Sequence, residues 1–223
     1  MAPETSSKFL FTNFGTVRPP SAEETRVIHN ANIGDPESVA TVHALGDLSH
    51  VVYAPLGEWT GELILIDQWT SREGIQQFMA NPTIREHGHR LFSISRPGVW
   101  RLGEGFLHYT INTSASQADR FLALLHGPVT SLDAAKLAYN QVFSQRISEA
   151  RKLGLVSHEL FIRLPLEGSP DSVEILGIDS WFKPDGPRQL YVDPEFRAAF
   201  ADVFTSPPQT WVLHRPEGFW IEW

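Results

Sequence analysis

The stretch Glu62-Leu-Ile-Leu-Ile-Asp67-Gln-Trp69 decides the fold, because a variant of it returns as Glu174-Ile-Leu-Gly-Ile-Asp179-Ser-Trp181. Aligned without a gap, residues 62–92 and 174–204 share nine identities in 31 positions. Ordinary composition predicts roughly two. We infer an internal duplication, with one repeat at residues 1–103 and a second at residues 104–223.

Outside this stretch, the composition limits the classes of function. The chain has 223 residues, is 42% hydrophobic and carries a net charge of −8, which opposes binding to a phosphate backbone. It contains no cysteine, and no apolar run is long enough to span a membrane. We expect a globular cytoplasmic protein with neither nucleic acid nor a membrane as partner.

The first half shows alternating strand and helix patterns. A capping box at Ser21 predicts a helix start, and Asn81-Pro82 predicts a break between two later helices. The predicted elements are a strand at 9–17, a helix from Ser21 interrupted near Gly34, a hairpin of strands 49–56 and 61–69, helices within 71–92, and a strand at 99–102.

The second half is predicted to repeat this order. Its elements are a strand at 105–113, a helical region at 116–153, strands at 157–164 and 173–181, helices at 185–191 and 194–204, and a strand at 209–214. Residues 218–223 suit one more strand or a lid. The fold class is therefore α+β, with two tandem ferredoxin-like (βαββαβ) repeats. Each repeat leaves one sheet face to be buried, and the other repeat provides a cover.

A strand ending in Asp-x-Trp, a short helix, Asn/Asp-Pro and a helix ending in Phe resemble the antibiotic-biosynthesis-monooxygenase group of the dimeric α+β-barrel superfamily. The resemblance implies an intramolecular dimeric α+β barrel with a pocket between sheet and helices in each half. In organisation the chain is similar to ring-opening oxygenases of angucycline pathways. That likeness implies diffusible reduced flavin, FADH2 or FMNH2, as the cofactor.

The resemblance is weaker when individual positions are compared. Cofactor-free quinol oxygenases of the group carry an Asn before the strand Trp, and a Tyr and an Arg after it. The corresponding positions here hold Leu65 and Gly177, Ile75 and Pro187, and His89 and Ala201. The haem-degrading branch has a first-strand Asn, matched by Asn13, but its helix Trp and axial His are replaced by Phe78 and Gly88. We therefore expect neither haem nor metal.

Four residues are candidates for proton transfer: His50, His158, Asp67 and Asp179. Each histidine begins a predicted strand and either deprotonates a phenol or is an ordinary surface group. Each aspartate shares a strand face with Trp and Leu. It is therefore either a paired structural carboxylate or a general base.

The candidate substrate contacts are aromatic or small. Trp69 and Trp181 either stack on a flat substrate or belong to the core. Gly177 marks a close approach, which favours a roomier pocket in the second half, or it marks a bulge or accommodates Tyr191 or Phe182. Trp100, Trp211, Asn13 and Tyr191 complete the set of candidate substrate contacts.

Three functions follow. The first is a monooxygenase acting on a polycyclic aromatic, polyketide-type substrate in an antibiotic or secondary-metabolite pathway, using O2 and reduced flavin. The second is a non-oxidative polyketide cyclase or dehydratase, and the third is a small-molecule binding protein without turnover. The expected partners are the aromatic substrate and a flavin reductase, and the chain is expected as a monomeric pseudo-dimer or a homodimer.

Overall fold

The computed structural model describes residues 8–110, 120–166, 172–201 and 203–223 of a mixed α+β protein. The chain divides into two compact units. Unit 1 comprises Met1–Arg101 together with Pro216–Trp223, and unit 2 comprises Leu102–Arg215. The segment 216–223, assigned above to the second repeat, thus belongs to unit 1. Within the described ranges no helix has the length and apolar character needed to cross a membrane.

Unit 1 is an antiparallel sheet with four helices. Its elements are β1 (Phe9–Val17), α1 (Ala22–Ile33), α2 (Pro36–Ala44), β2 (Asp47–Pro55), β3 (Glu62–Trp69), α3 (Arg72–Ala80), α4 (Pro82–Leu91) and β4 (Phe92–Leu102). The strands lie in the order β4-β1-β3-β2, and β1 pairs with both β3 and β4. The predicted elements of the first half are all present, and β4 begins earlier than expected.

Side-chain caps explain where the helices of unit 1 begin. Ser21, Asp35, Ser71 and Asn81 each accept a hydrogen bond from a main-chain N–H in the first turn of the helix that follows. The predicted breaks near Gly34 and at Asn81-Pro82 are therefore confirmed. The first of them divides the helical layer of unit 1 into α1 and α2.

Unit 2 has the same plan with one long helix in place of two. Its elements are β5 (Tyr109–Thr110), β6 (Phe121–Pro128), α5 (Leu132–Lys152), β7 (Leu155–Leu164), β8 (Glu174–Trp181), α6 (Asp185–Val192), α7 (Pro194–Ala199) and β9 (Gln209–His214). The strands lie in the order β9-β6-β8-β7-β5, all antiparallel.

The prediction of a strand at 105–113 was wrong. The strand that matches β1 is β6, because Phe121 pairs with Trp181 as Phe9 pairs with Trp69. Only Tyr109 and Thr110 of the expected strand are extended, and residues 111–113 lie outside the described ranges. The long helix accordingly begins at Leu132, where Ser131 caps it, and not at residue 116.

An asparagine in each unit holds a short segment against the helical layer. In unit 1 the amide of Asn30 donates to Phe219 O (2.9 Å) and accepts from Ile221 N (3.0 Å). In unit 2 Asn140 contacts Gly105 O and Leu107 N in the same way. Ser21 and Ser131 cap the two helices, so positions 21–33 and 131–143 correspond.

Candidate active site

Unit 1 contains a cavity of about 550 Å³ between its sheet and its helices. This volume lies within the roughly 300–1,000 Å³ typical of small-molecule sites. Its wall is mainly apolar and aromatic, with contributions from Phe11, Leu65, Phe78, Phe92 and Trp223. Such a wall suits a flat, largely apolar ligand.

Two of the predicted residues form a buried pair on the wall of this cavity. His50 on β2 and Asp67 on β3 are partners in the strand register, and His50 Nδ1 lies 2.7 Å from Asp67 Oδ1. Both residues line the cavity, and they are 6% and 4% exposed. The pair therefore combines an ionisable contact with access to a bound ligand.

A second histidine extends this pair into a chain. His29 Nε2 lies 3.0 Å from His50 Nε2, and His29 Nδ1 lies 3.0 Å from the amide oxygen of Asn30. Because that oxygen already accepts from Ile221 N, the Nδ1 of His29 must donate to it. Burial and the neighbouring His50 lower the pKa of His29 from 6.5 to about 3, so this ring is neutral.

The neutral form of His29 determines which nitrogen donates in its hydrogen bond with His50. Neutral His29 donates from Nδ1, so its Nε2 accepts a proton from His50 Nε2. The contact between His50 Nδ1 and Asp67 contains a further proton. His50 therefore links neutral His29 to Asp67 through its two ring nitrogens, on the wall of the cavity.

A fourth ionisable group beside His29, His50 and Asp67 on the cavity wall, Asp47, was missed by the sequence analysis. Its carboxylate accepts hydrogen bonds from Trp223 Nε1 (3.1 Å) and Ser49 N (3.3 Å), and the residue is 5% exposed. Burial and the nearby Asp67 raise the pKa of Asp47 from 3.8 to about 7. This carboxyl group is therefore partly protonated at neutral pH and is able to donate a proton to a ligand.

Segment 216–223 supports the histidines from the side opposite Asp67. Trp223 exchanges main-chain hydrogen bonds with His50, and its indole packs 5.0 Å from the His50 ring between centroids. Trp220 packs 5.1 Å from the ring of His29. Residues 218–223, expected to form a strand or a lid, instead pack against the imidazole rings of His29 and His50.

Unit 2 contains the matching pair, and there the described residues bury it in the core. His158 Nδ1 lies 2.5 Å from Asp179 Oδ1, and the residues are 2% and 1% exposed. The second carboxylate oxygen of Asp179 accepts a hydrogen bond from the Tyr191 hydroxyl. Burial and Asp179 raise the pKa of Tyr191 well above its usual value, so this phenol is a stable donor.

Aromatic side chains fill the interior of unit 2 where unit 1 has its cavity. Phe143 stacks on the His158 ring at 3.5 Å, and Tyr139 packs 4.6 Å from Phe200 between ring centroids. Five positions carry the difference between the units. Tyr139, Phe143, Tyr191, Phe196 and Phe200 correspond to His29, Ile33, Met79, Ile84 and Gly88, all of which line the cavity.

Gly88 contributes the largest change in volume. A Cβ atom at this position would meet nothing within 4 Å, whereas Phe200 belongs to the core of unit 2. Met79 has a different effect. It cannot donate a hydrogen bond, so Asp67 lacks the hydroxyl partner that Tyr191 gives to Asp179.

The four candidate tryptophans and Gly177 are absent from the wall of the cavity in unit 1. Trp69, Trp100 and Trp181 are at most 1% exposed, and Trp69 and Trp100 are absent from the cavity wall. Trp211 is half-buried on β9, opposite Leu124. A Cβ at Gly177 would lie 3.7 Å from the Tyr139 hydroxyl, so the space beside it is occupied. The roomier pocket is in unit 1, contrary to the expectation.

Asn13 does line the cavity, as the sequence suggested for a ligand contact. It faces Leu65 across the β1–β3 pairing, and its side-chain oxygen lies 2.9 Å from Ser95 Oγ. Its 7% exposure leaves part of the amide available to a ligand. Among the described residues, no group of three or more His, Asp or Glu side chains is arranged to hold a metal ion.

The fold is shared with solved structures, although no protein-family model and no curated protein matches the sequence. An anthrone oxidase-like protein superposes with a TM-score of 0.66 at 16% identity, over 96% of this chain and 93% of that one. A monooxygenase-like protein from Listeria innocua gives 0.53 at 11% identity, over 96% of each chain. A mutant chlorite dismutase from Candidatus Nitrospira defluvii gives 0.57 at 12% identity, over 94% of this chain and 92% of that one. At these low sequence identities, the superpositions show a common fold and no more.

Proposed function

We propose that unit 1 is the active half of a monooxygenase that acts on a flat, polycyclic aromatic substrate of the polyketide type. The observation that carries the proposal is the Asp67–His50 pair on the wall of an aromatic cavity of about 550 Å³. Likeness in fold to an anthrone oxidase-like protein and to a monooxygenase-like protein supports the same class of chemistry.

The residues of the cavity account for proton movement. Asp67 accepts the phenolic proton of the substrate through its unshared oxygen, and the positive charge that remains on His50 stabilises the phenolate. A phenolate is more electron-rich than a phenol and therefore more reactive towards activated oxygen. Asp47, with its raised pKa, returns a proton as the second oxygen atom leaves as water.

Diffusible reduced flavin is our proposed source of electrons. One oxygen atom of O2 enters the ring, the other becomes water, and the flavin supplies two electrons and activated oxygen. The cavity wall is apolar at Leu65, where cofactor-free relatives of the suggested group carry an amide. The aromatic and apolar side chains of the cavity wall also suit an isoalloxazine ring.

The experiment is oxygen consumption by the purified protein with a dihydroxyanthrone or a polycyclic phenol, with and without reduced FMN or FAD. We expect uptake that depends on flavin and incorporation of one labelled atom from isotopically labelled O2. Equal conversion under nitrogen would contradict the oxygenase proposal.

A polyketide cyclase or dehydratase is the second candidate, because the Asp67–His50–His29 chain is suited to moving protons without oxygen. Under that function, conversion persists in strict anaerobiosis and no label enters the product. Saturable binding with no conversion under either atmosphere would instead indicate a binding protein.

A further inference from the structure

The cavity of unit 1 is lined by carboxyl groups near one end of β1 and by arginines near the other. At one end, Phe11 on β1 pairs with Asp67, which in turn pairs with His50. At the other end, Arg18 follows β1 directly. The seven residue steps from Phe11 to Arg18 span roughly 23 Å in an extended chain, so the ends of the wall are well separated.

At the basic end, Arg18 and Asn32 donate hydrogen bonds to main-chain oxygens of α4. Arg18 N donates to Leu91 O (2.9 Å), and its Nε donates to His89 O (2.7 Å). Asn32 Nδ2 donates to His87 O (3.2 Å). These bonds hold Arg18 beside the last turn of α4, and His87 and His89 of that helix also line the cavity.

Arg85 adds a second permanent charge on α4. It lies one turn before His89, so the two side chains share a helix face, and both line the cavity. Its guanidinium donates a hydrogen bond to Ala80 O at 3.3 Å. Among the described residues that line the cavity, the carboxylates are Asp47 and Asp67, both at the opposite end.

The second repeat retains only one of these four basic residues. Arg197 corresponds to Arg85, but Thr130, Ala199 and Ala201 occupy the positions of Arg18, His87 and His89. The basic set therefore accompanies the open cavity. In a chain of net charge −8, this local excess of positive charge offsets the repulsion that an anionic ligand would meet.

We propose that the basic end of the cavity, formed by Arg18, Arg85, His87 and His89, binds an anionic group carried by a flat aromatic ligand. This inference rests on the proposed function and narrows its substrate class to aromatic acids whose anionic group lies away from the reacting phenol. A ring carboxylate on the substrate and the phosphate of FMN share this chemistry, and matched probes distinguish them.

The test measures affinity by quenching of tryptophan fluorescence, since Trp223 lines the cavity. The first pair of probes is an anthraquinone carboxylate and the corresponding carboxamide, and the second is FMN and riboflavin. At low salt we expect at least one charged probe to bind about tenfold more tightly than its neutral partner. The pair that shows the larger ratio identifies the source of the anionic group.

The variants are Arg85→Gln and the double variant Arg18→Gln/Arg85→Gln, with Arg197→Gln as the matched control in unit 2. We expect the charged-to-neutral ratio to fall about threefold in the single variant and to about one in the double variant. It should be unchanged in Arg197→Gln. Equal affinities of charged and neutral probes for the wild-type protein, or a ratio that survives the double variant, would overturn the inference.

Failure of the inference and failure of the proposed function have different signatures. Charge discrimination that depends on Arg18 and Arg85, without any oxygen consumption, supports the inference and rejects the oxygenase. Flavin-dependent oxygen consumption with equal affinity for charged and neutral probes rejects the inference alone. Absence of binding by all four probes would also reject it.

Discussion

Units 1 and 2 share a strand pattern, a buried His–Asp pair and matching helix caps, yet one contains a cavity and the other a packed core. The pair His158–Asp179 is sealed by Phe143 and by the Tyr191 hydroxyl. The pair His50–Asp67 faces the cavity. The comparison teaches that the same polar pair is a structural element in one setting and a candidate catalytic group in another.

The comparison also separates the residues that make the site from those that make the fold. Trp69 and Trp181 are core residues in both units, so they indicate the fold and not the activity. Asp47 faces the cavity in unit 1, whereas its register equivalent Leu155 belongs to the core of unit 2. Differences between the repeats are therefore more informative about function than their identities.

The largest expected effect comes from closing the cavity. Gly88→Phe copies Phe200 of unit 2 into a position where a Cβ meets nothing within 4 Å. We expect ligand affinity and turnover to fall at least 100-fold, because the ring occupies ligand space, while the melting temperature is maintained. Glycine is among the weakest helix formers, so the substitution also favours α4. Normal turnover in a folded Gly88→Phe protein would contradict the assignment of the site to unit 1.

The second-largest effect distinguishes the carboxylate of Asp67 from that of Asp179 by its contribution to turnover. Asp67→Asn removes the proposed proton acceptor, and we expect kcat to fall about 10²- to 10⁴-fold, the range typical of general acid–base groups. Asp179→Asn is the matched control, for which we expect a loss of stability with kcat retained per folded molecule. A larger loss of kcat in Asp179→Asn would place the chemistry in unit 2.

Removing an aromatic residue from unit 2 should affect stability and spare activity. Phe143 is 3% exposed and stacks on His158, so Phe143→Ala is expected to lower the free energy of unfolding by about 3–5 kcal/mol. Ile33→Ala at the corresponding cavity position should cost less, because Ile33 is only half-buried. Chemical denaturation measures both, and equal costs would show that the two interiors are packed alike.

The smallest expected effect is the dependence of the free energy of unfolding on pH that Asp47 causes. Its folded pKa of about 7 lies above the ordinary 3.8, so the native protein binds more protons than the unfolded chain between these values. The contribution of Asp47 to the free energy of unfolding is therefore full below about pH 4 and is lost as the pH rises to about 7. Charged groups that face it are Asp67 and His50, while His43 Nδ1 contacts its main-chain oxygen.

Asp47→Asn removes this titration. Relative to wild type, the variant should gain stability between about pH 4 and about pH 8, by at most the roughly 4 kcal/mol that corresponds to a pKa change of about three units. Denaturation of both proteins at these two pH values provides the measurement. A difference between the proteins that does not change with pH would show that Asp47 is ionised throughout.

Much of the fold follows from the sequence because its signals are local. The break near Gly34 and the Asn81-Pro82 boundary depend on capping and on proline geometry, which neighbouring residues determine. The strand β6 was missed because Phe121-Leu-Ala-Leu-Leu-His has few β-branched residues. Pairing with β8 and β9 makes it a strand, and that tertiary context overrides propensity.

The site was predicted only in part for the same reason. His50 and Asp67 were both identified, but their contact depends on the register between β2 and β3. Asp47 had an available signal, because Leu45-Gly-Asp47 and Leu153-Gly-Leu155 differ at this position within a conspicuous repeat. His29 and Trp223 had none, since their contacts with His50 join residues 21 and 173 positions apart.

The central claim is that the ligand site lies in unit 1, and the stoichiometry of binding tests it most directly. Isothermal titration with a polycyclic aromatic ligand is expected to give one site per chain for the wild-type protein and none for Gly88→Phe. Two sites per chain, or one site that persists in Gly88→Phe, would contradict the account.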